Sequence, residues 1–298
     1  MKLSLTFTLL LVPCLANSAV AATVAVNCDA GGKIQAALTT AQSGDTLLIS
    51  GICNENISIR DELARITIDG QGGATINAPS TAAAAVTVLG RNVTIKGFTI
   101  TGGRAGFNVL RGGSALIDTN TIQDSVGAGI LVLQNGHARI INNTIQFNPN
   151  SGITVQENSN SRIGFLDLAG PLAGNVIQRN GVAGVILQRG GVASLVANTI
   201  SDNDGPGVLV TGASHGDLSN NRIEGNSSDG VLVMQNSDVQ LGGEPSILNP
   251  PNETTVPNGG FGLRCSLNAS ADGSLGTLSG AQGVRRFDSS CSNGPKIQ

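Results

Sequence analysis

The side chains of this 298-residue chain that could do chemistry are few and fall close together. Asp202-Asn-Asp204, Ser214-His215-Gly216 and Ser227-Ser-Asp229-Gly230 bring three carboxylates and an imidazole into one short span. Two carboxyl groups can act as acid and base across a glycosidic bond, and the inverting geometry asks for a separation of about 6.5–9.5 Å. If the chain is an enzyme, Asp202, Asp204, His215 and Asp229 are the residues that would carry the reaction. Metal chemistry has less to work with. His137 and His215 are the two histidines, no Cys-x-x-Cys spacing occurs, and the acids are isolated. Copper or zinc would need further His, Cys or Met partners. No metal and no cofactor are expected.

These residues sit in a repeat. Asn120, Asn143, Asn198 and Asn221 open the same phrase: an Ile two later, a Gly nine later, aliphatics ten and twelve later. The Ile column is Ile122, Ile145, Ile177, Ile200 and Ile223, and the Gly column is Gly129, Gly152, Gly184, Gly207 and Gly230. The step is 23 residues, with one of 32 between Asn143 and Asn175. A fixed period of this length means a solenoid. Ile, Val, Thr, Asn and Gly favour strands and tight turns over helix. Three short parallel strands per coil fit, each coil about 4.8 Å above the last. Identical residues then stack, so the aliphatic columns become a core and the Asn column a ladder of amides at one corner.

With those residues in view, the chain resembles the pectate-lyase-like right-handed parallel β-helices, in particular bacterial repeats of the N-x-I…N-x-x-x-G-I-x-V kind. The resemblance implies an all-β, single-domain right-handed parallel β-helix. It leaves activity open, because the fold carries lyases, hydrolases, epimerases, adhesins and inert rods. Ser227-Ser-Asp229-Gly230-Val231 resembles the N-T-D-G-I phrase of polygalacturonase-like hydrolases of this fold, and Asp202-Asn-Asp204 and Ser214-His215-Gly216 resemble their paired Asp and G-H-G. The order departs from that family, whose pair and His follow the phrase on later coils. Here the next coil reads Gly259-Gly-Phe261-Gly262-Leu263, without an acid. The D-P-H-D motif of uronan epimerases and the carboxylate clusters of calcium-dependent lyases are absent.

The expected division is a signal peptide over 1–22, an N-terminal cap over 23–45, coils over 46–264 and a C-terminal cap or tail over 265–298. Leu3 to Leu15 is apolar and Ala19-Val20-Ala21 is a small-x-small cleavage signal. The run is too short to span a membrane, so the protein is expected to be exported, to the periplasm or beyond. Ile34, Ala37, Leu38 and Ala41 have the spacing of a short amphipathic capping helix. Cys28, Cys53, Cys265 and Cys291 then read as disulfides. Three connectivities are open, and the two terminal pairings are favoured because a rod keeps its ends apart. Net charge is −3 at pH 7 with no basic stripe, which argues against nucleic acid. The chain has no Trp or Tyr and 7 Phe, a poor supply of flat faces for sugars.

A second duplication lies over the first. Shifted by 78 residues, His137, Asn143, Ile145, Gly152 and Val155 land on His215, Asn221, Ile223, Gly230 and Val233. The two histidines are therefore equivalent and three coils, about 14 Å, apart, which reads as a copied turn residue. The insertion at Asn158 to Gly174 has a counterpart under the same shift, Ser159, Gly164 and Gly184 landing on Ser237, Gly242 and Gly262, and both long loops should leave the rod at the same corner. Between the inward aliphatics, Leu131, Thr154, Ile186, Leu209 and Leu232 should point outward as an apolar ridge. Such a ridge suits an envelope-protein partner or a homo-oligomer. Without a complete catalytic constellation, the expectation is a non-catalytic exported scaffold that binds a polysaccharide or an envelope protein. The alternative is an atypical polysaccharide-active enzyme: a lyase, an epimerase or a polygalacturonase-like hydrolase.

Overall fold

The computed structural model describes residues 21–167, 170–242 and 249–293. The expected leader, apart from Ala21 and Ala22, lies outside the described residues. The rest is a right-handed parallel β-solenoid of about 11 turns with one short helix. The strands form an 18-stranded sheet, bent so that each coil contributes twice, and a 10-stranded sheet facing it.

One coil shows how residue types dictate the path. Strand His137–Ile141 ends at Asn142 in the left-handed region (φ 55°) and turns into strand Thr144–Gln146. A second left-handed residue, Phe147 (φ 55°), turns the chain again towards strand Ile153–Gln156 of the other sheet. Glu157 and Asn158, both left-handed, return it to strand Asn160–Ile163, one level up. The residue that adopts the left-handed conformation is the one before the ladder Asn in four coils, at Thr119, Asn142, Ala197 and Asn220. The ladder Asn itself does different work.

Each ladder Asn accepts, on its Oδ1, the backbone N–H and the Nδ2 of the Asn one coil below. The bonds run Asn120–Asn143–Asn175–Asn198–Asn221–Asn252 at 2.9–3.1 Å. Its own Nδ2 also takes a corner carbonyl, as Asn198 does with Ile163 at 2.9 Å and Val196 at 3.1 Å. Five residues on from most of these, a second ladder runs Asn148–Asn180–Asn203–Asn226–Asn258 at 2.8–3.2 Å. Both ladders are buried to within 2% exposure, where unpaired amides would be costly. The Asn-x₄-Asn spacing was the signal for the second ladder.

The Ile column from Ile122 to Ile223 is fully buried. The Gly column exists because coils touch there. A Cβ on Gly184 would lie 2.4 Å from Ile200 Cγ2 and 2.7 Å from the Gly207 carbonyl oxygen. Strand Thr23–Asn27 pairs in parallel with Thr46–Ser50, so the 23–45 segment carries a strand as well as helix Ile34–Thr40. That helix buries Ile34 and Leu38 over the open end of the core. At the other end, strands Gly283–Phe287 and Ser292–Asn293 stack on Phe261–Ser266 and Ser270–Asp272, so coiling continues beyond residue 264. The disulfides are Cys28–Cys53 and Cys265–Cys291, one at each end, as the pairing argument expected. Each is worth about 3 kcal/mol in the loop-entropy account. Both insertions leave at one corner: Gly164 N–H donates to the Ile140 carbonyl and Gly242 N–H to that of Leu218.

If the buried ladder holds the corners, Asn198→Ala should cost about 3 kcal/mol, since it orphans the Asn175 N–H and the Ile163 carbonyl. The exposed Asp204→Asn should stay within about 0.5 kcal/mol. Equal urea midpoints for the two variants would contradict the assignment.

Candidate functional site

Strands Ser114–Asp118, His137–Ile141, Asn160–Ile163, Val192–Val196, His215–Ser219 and Asp238–Leu241 lie side by side, parallel and in register. Alternation sends Ala138 and Ile140, or Ala193 and Leu195, into the core. The positions between them build two outward columns. One reads Ser114, His137, Asn160, Val192, His215, Asp238; the other Leu116, Arg139, Arg162, Ser194, Asp217, Gln240. The histidines are therefore the first residues of strands on this face and not turn residues.

The early coils form a groove of about 510 Å³ lined by Asn92, Thr94, Ser114, Leu116, His137, Arg139, Asn160 and Arg162. Arg162 is held from one side: its Nη1 donates to the Leu166 carbonyl at 2.9 Å and its guanidinium lies 5.7 Å from the Phe165 ring centroid. The insertion thus serves as a wall that aims the cation. Arg139 makes no ion pair among the described residues.

Three coils on, the same face is acidic. His215 Nδ1 is 2.5 Å from Asp238 Oδ2, and Nε2 is 3.0 Å from Asp217 Oδ1. Ser194 Oγ donates to Asp217 Oδ2 at 3.2 Å. Partial burial opposes charge on the imidazole, but the Asp238 and Asp217 carboxylates outweigh it and hold the His215 pKa above its ordinary value. Under the 78-residue shift, His137, Arg139, Asn160 and Arg162 become His215, Asp217, Asp238 and Gln240. The duplication keeps the positions and reverses the charge.

The four residues proposed for catalysis divide between two places. Asp202 is left-handed (φ 54°) and exposed at the corner before ladder residue Asn203, and Asp204 is exposed two residues on. Asp229 is buried ahead of strand Val231–Met234 of the ten-stranded sheet. Its Oδ1 accepts the Phe261 N–H at 2.8 Å, and Arg264 Nη1 stands 3.5 Å from Oδ2, an ion pair too long for a hydrogen bond. His215 lies on the other sheet. Among the described residues no hydrogen bond or ion pair joins it to Asp202, Asp204 or Asp229.

The column Leu131, Thr154, Ile186, Leu209, Leu232 stacks in register. It is not bare: Thr154 and Ile186 are 4% and 7% exposed and the three leucines are half-buried. Stacking at about 4.8 Å makes each side chain cover the next. Thr154 also shares a hydrogen bond with Ser151 at 2.6 Å. The column ends in charge, at Arg264 and Arg286.

A family model described as periplasmic copper-binding protein (NosD) matches residues 39–241. The chain belongs to the NosD family. The match takes in both outward columns from Ser114 to Gln240. No curated protein sequence matches the chain. Among solved structures, this NosD-family chain is similar to pectate lyase Pel9A at 14% identity and TM-score 0.60, over 93% of this chain and 81% of that one. It is also similar to the periplasmic alginate epimerase AlgG at 17% identity and TM-score 0.56, over 91% and 72%. The mannuronan C-5 epimerase AlgE4 A-module of Azotobacter vinelandii aligns at 15% and TM-score 0.53, over 93% and 88%. At such identities the likeness is one of fold. The two disulfides require an oxidising compartment, in keeping with a periplasmic family and an exported chain. No helix among the described residues is long and apolar enough to cross a membrane.

Arg139 and Asp217 lie two residues from a histidine on the same strand, Asp238 one coil from His215, and Arg162 one coil from Arg139; the 23-residue period was the signal that could have found them. The pH behaviour of the pair checks the geometry. A raised native pKa means that the His215 contacts contribute full stability below the unfolded value near 6.5 and lose it as pH rises through the native value. In an NMR titration His215 should ionise above the ordinary imidazole value, and Asp238→Asn should bring it down. A titration of His215 that Asp238→Asn leaves unchanged would contradict the geometry.

Proposed function

We propose that the chain is a non-catalytic exported β-helix that binds an anionic polysaccharide, of the uronate class, along the groove at His137. The observation that carries this is the pair of outward guanidiniums, Arg139 and Arg162, in one groove. Arg139 is without an ion pair among the described residues, and Arg162 is positioned by a carbonyl and a ring. A guanidinium fork matches a carboxylate in two points. Asn92, Thr94, Ser114 and Asn160 supply hydroxyl and amide partners beside it. The names of the structural neighbours, a pectate lyase and alginate epimerases, support the substrate class.

Several features support binding without turnover. Guanidinium cannot take a proton at neutral pH, and His137 has no hydrogen-bonded partner among the described residues to orient it as a base. His215 is engaged by carboxylates on both ring nitrogens. The observation favouring an enzyme is Asp229, buried with Oδ2 free of hydrogen bonds beside Arg264. An apolar contact through Leu131, Leu209 and Leu232, to an envelope protein or a second copy, is the weaker surface because the column is half covered.

The family description names copper, and the donors of this chain bear on it. Copper(I) prefers thiolate and thioether sulfur. The four described cysteines are paired and Met234 is the one described methionine. Cys28, Cys53 and Glu55 do converge. However, the sulfurs are bonded to each other and Glu55 accepts the Ile34 and Gln35 N–H groups at 2.8 and 2.9 Å. The chain does not fit a soft cuprous centre; imidazole and carboxylate suit only a harder ion.

Affinity electrophoresis through polygalacturonate or alginate should retard the wild type. Arg139→Gln should weaken retention about tenfold, ~1.4 kcal/mol, and adding Arg162→Gln should abolish it. Arg264→Gln should leave it unchanged, and no unsaturated product or new reducing end should form. Equal retention by a neutral glucan, or turnover abolished by Asp229→Asn, would replace this reading.

A further inference from the structure

We infer that the two outward columns of the eighteen-stranded sheet are a self-complementary face, through which two copies of this chain pair antiparallel about a two-fold axis at strand Val192–Val196. The occupant is a second copy because the face carries its own complement. Arg139 and Arg162 lie on the coils before that strand, and Asp217, Asp238 and Asp272 on the coils after it. Between the two halves stand Val192 and Ser194, small and uncharged. The pairing goes beyond the reading of the groove and does not depend on what the groove binds, although a polyanion held there would compete for the same two guanidiniums.

An axis along the strand direction reverses the rod and keeps the strands, so each column meets itself in reverse order. Val192 then faces Val192 and Ser194 faces Ser194. One coil out, Arg162 faces Asp217 and Asn160 faces His215; two coils out, His137 faces Asp238. Each contact occurs twice, as an isologous interface requires. Parallel rods would set the cationic half on the cationic half, which like-charge repulsion disfavours. Asp217 and Asp238 give part of their acceptor capacity to His215 and Ser194. An ionised carboxylate offers about four lone-pair sites, so room for a guanidinium remains. A charged His215 offsets one of the three acids. The insertions respect the same symmetry. They leave at Gly164 and Gly242, after the coils of Asn160 and Asp238. The axis sets those coils opposite the coils of His215 and His137, each followed by a plain 23-residue step. The five coils from His137 to Asp238 offer about 400 Å² on each partner, half of the ~800 Å² usual for a stable pair. The dimer is therefore a transient one, steered by charge.

The test is sedimentation velocity of the full mature chain over about 1–200 μM protein, in about 20 mM and about 300 mM salt. At low salt a dimer should form with a Kd on the order of tens of micromolar, and the higher salt should weaken it about tenfold. Arg162→Glu and Asp217→Arg each set like charges opposite one another, and each should weaken association about tenfold or more. An equimolar mixture of these two variants should associate again, because one chain then offers two carboxylates where the other offers two guanidiniums. Polysaccharide binding by the groove predicts no such rescue, so failure of that reading and failure of this one are distinguishable. Leu209→Glu, on the ten-stranded sheet, should change nothing. The substitutions are on the surface, and the far-ultraviolet spectrum and melting point of each variant check that it is folded. A wild type that stays monomeric throughout, a dimer indifferent to Arg162→Glu, or folded variants whose mixture fails to associate would overturn the pairing.

Discussion

The structure depends on one repeated contact: the side-chain amide of a buried Asn bonded to the same Asn one coil away. A solenoid coil has no strand pairing of its own, because its strands pair only with the coils above and below. The sharp corners are where that pairing must break, and a buried corner with unpaired groups would cost more than the strands return. The two Asn ladders supply the missing partners at both corners of the eighteen-stranded sheet. In most coils a left-handed residue before the Asn turns the chain, and the Asn seals it. Once the corners are fixed, the register of every strand follows and the Ile and Gly columns have no freedom left.

That rigidity sets the pattern of the outward face. Residues one period apart in sequence become neighbours about 4.8 Å apart in space, so a short strand repeated with variations writes a charge pattern along the rod. The early coils write it positive, with Arg139 and Arg162 around a groove. The later coils, built on the same positions after duplication, write it negative around His215. Core positions resisted change because the coils are close-packed there. Outward positions were free to diverge, and the two histidines came to have opposite surroundings.

The resemblance to the pectate-lyase-like helices was carried by residues that serve stacking, which explains why it announced the fold and left the activity open. The fragments Ser227-Ser-Asp229-Gly230 and Asp202-Asn-Asp204 look catalytic as text. In the structure Asp202 and Asp229 serve corners, one ahead of a ladder Asn and the other capping the Phe261 N–H. Turn chemistry and acid catalysis draw on the same residue types, so short motifs in a repeat protein point first to turns. The apolar column had a similar fate. Alternation set it between the inward aliphatics, but alternation says nothing about how far neighbours cover one another, and Thr154 and Ile186 are buried.

By itself the sequence determined the parallel solenoid, the capping helix at Ile34–Thr40, the terminal placement of both disulfides and the shared corner of the two insertions. Each follows from local chemistry repeated at a fixed period, and periodicity survives in one dimension. The tertiary structure decided which outward residues meet. Asp238 reaches His215 across a whole coil, Asp217 reaches it along one strand, and Arg162 is aimed by a loop that the repeat does not include. Those contacts depend on strand register and on side-chain direction across coils, which no single period of the sequence contains.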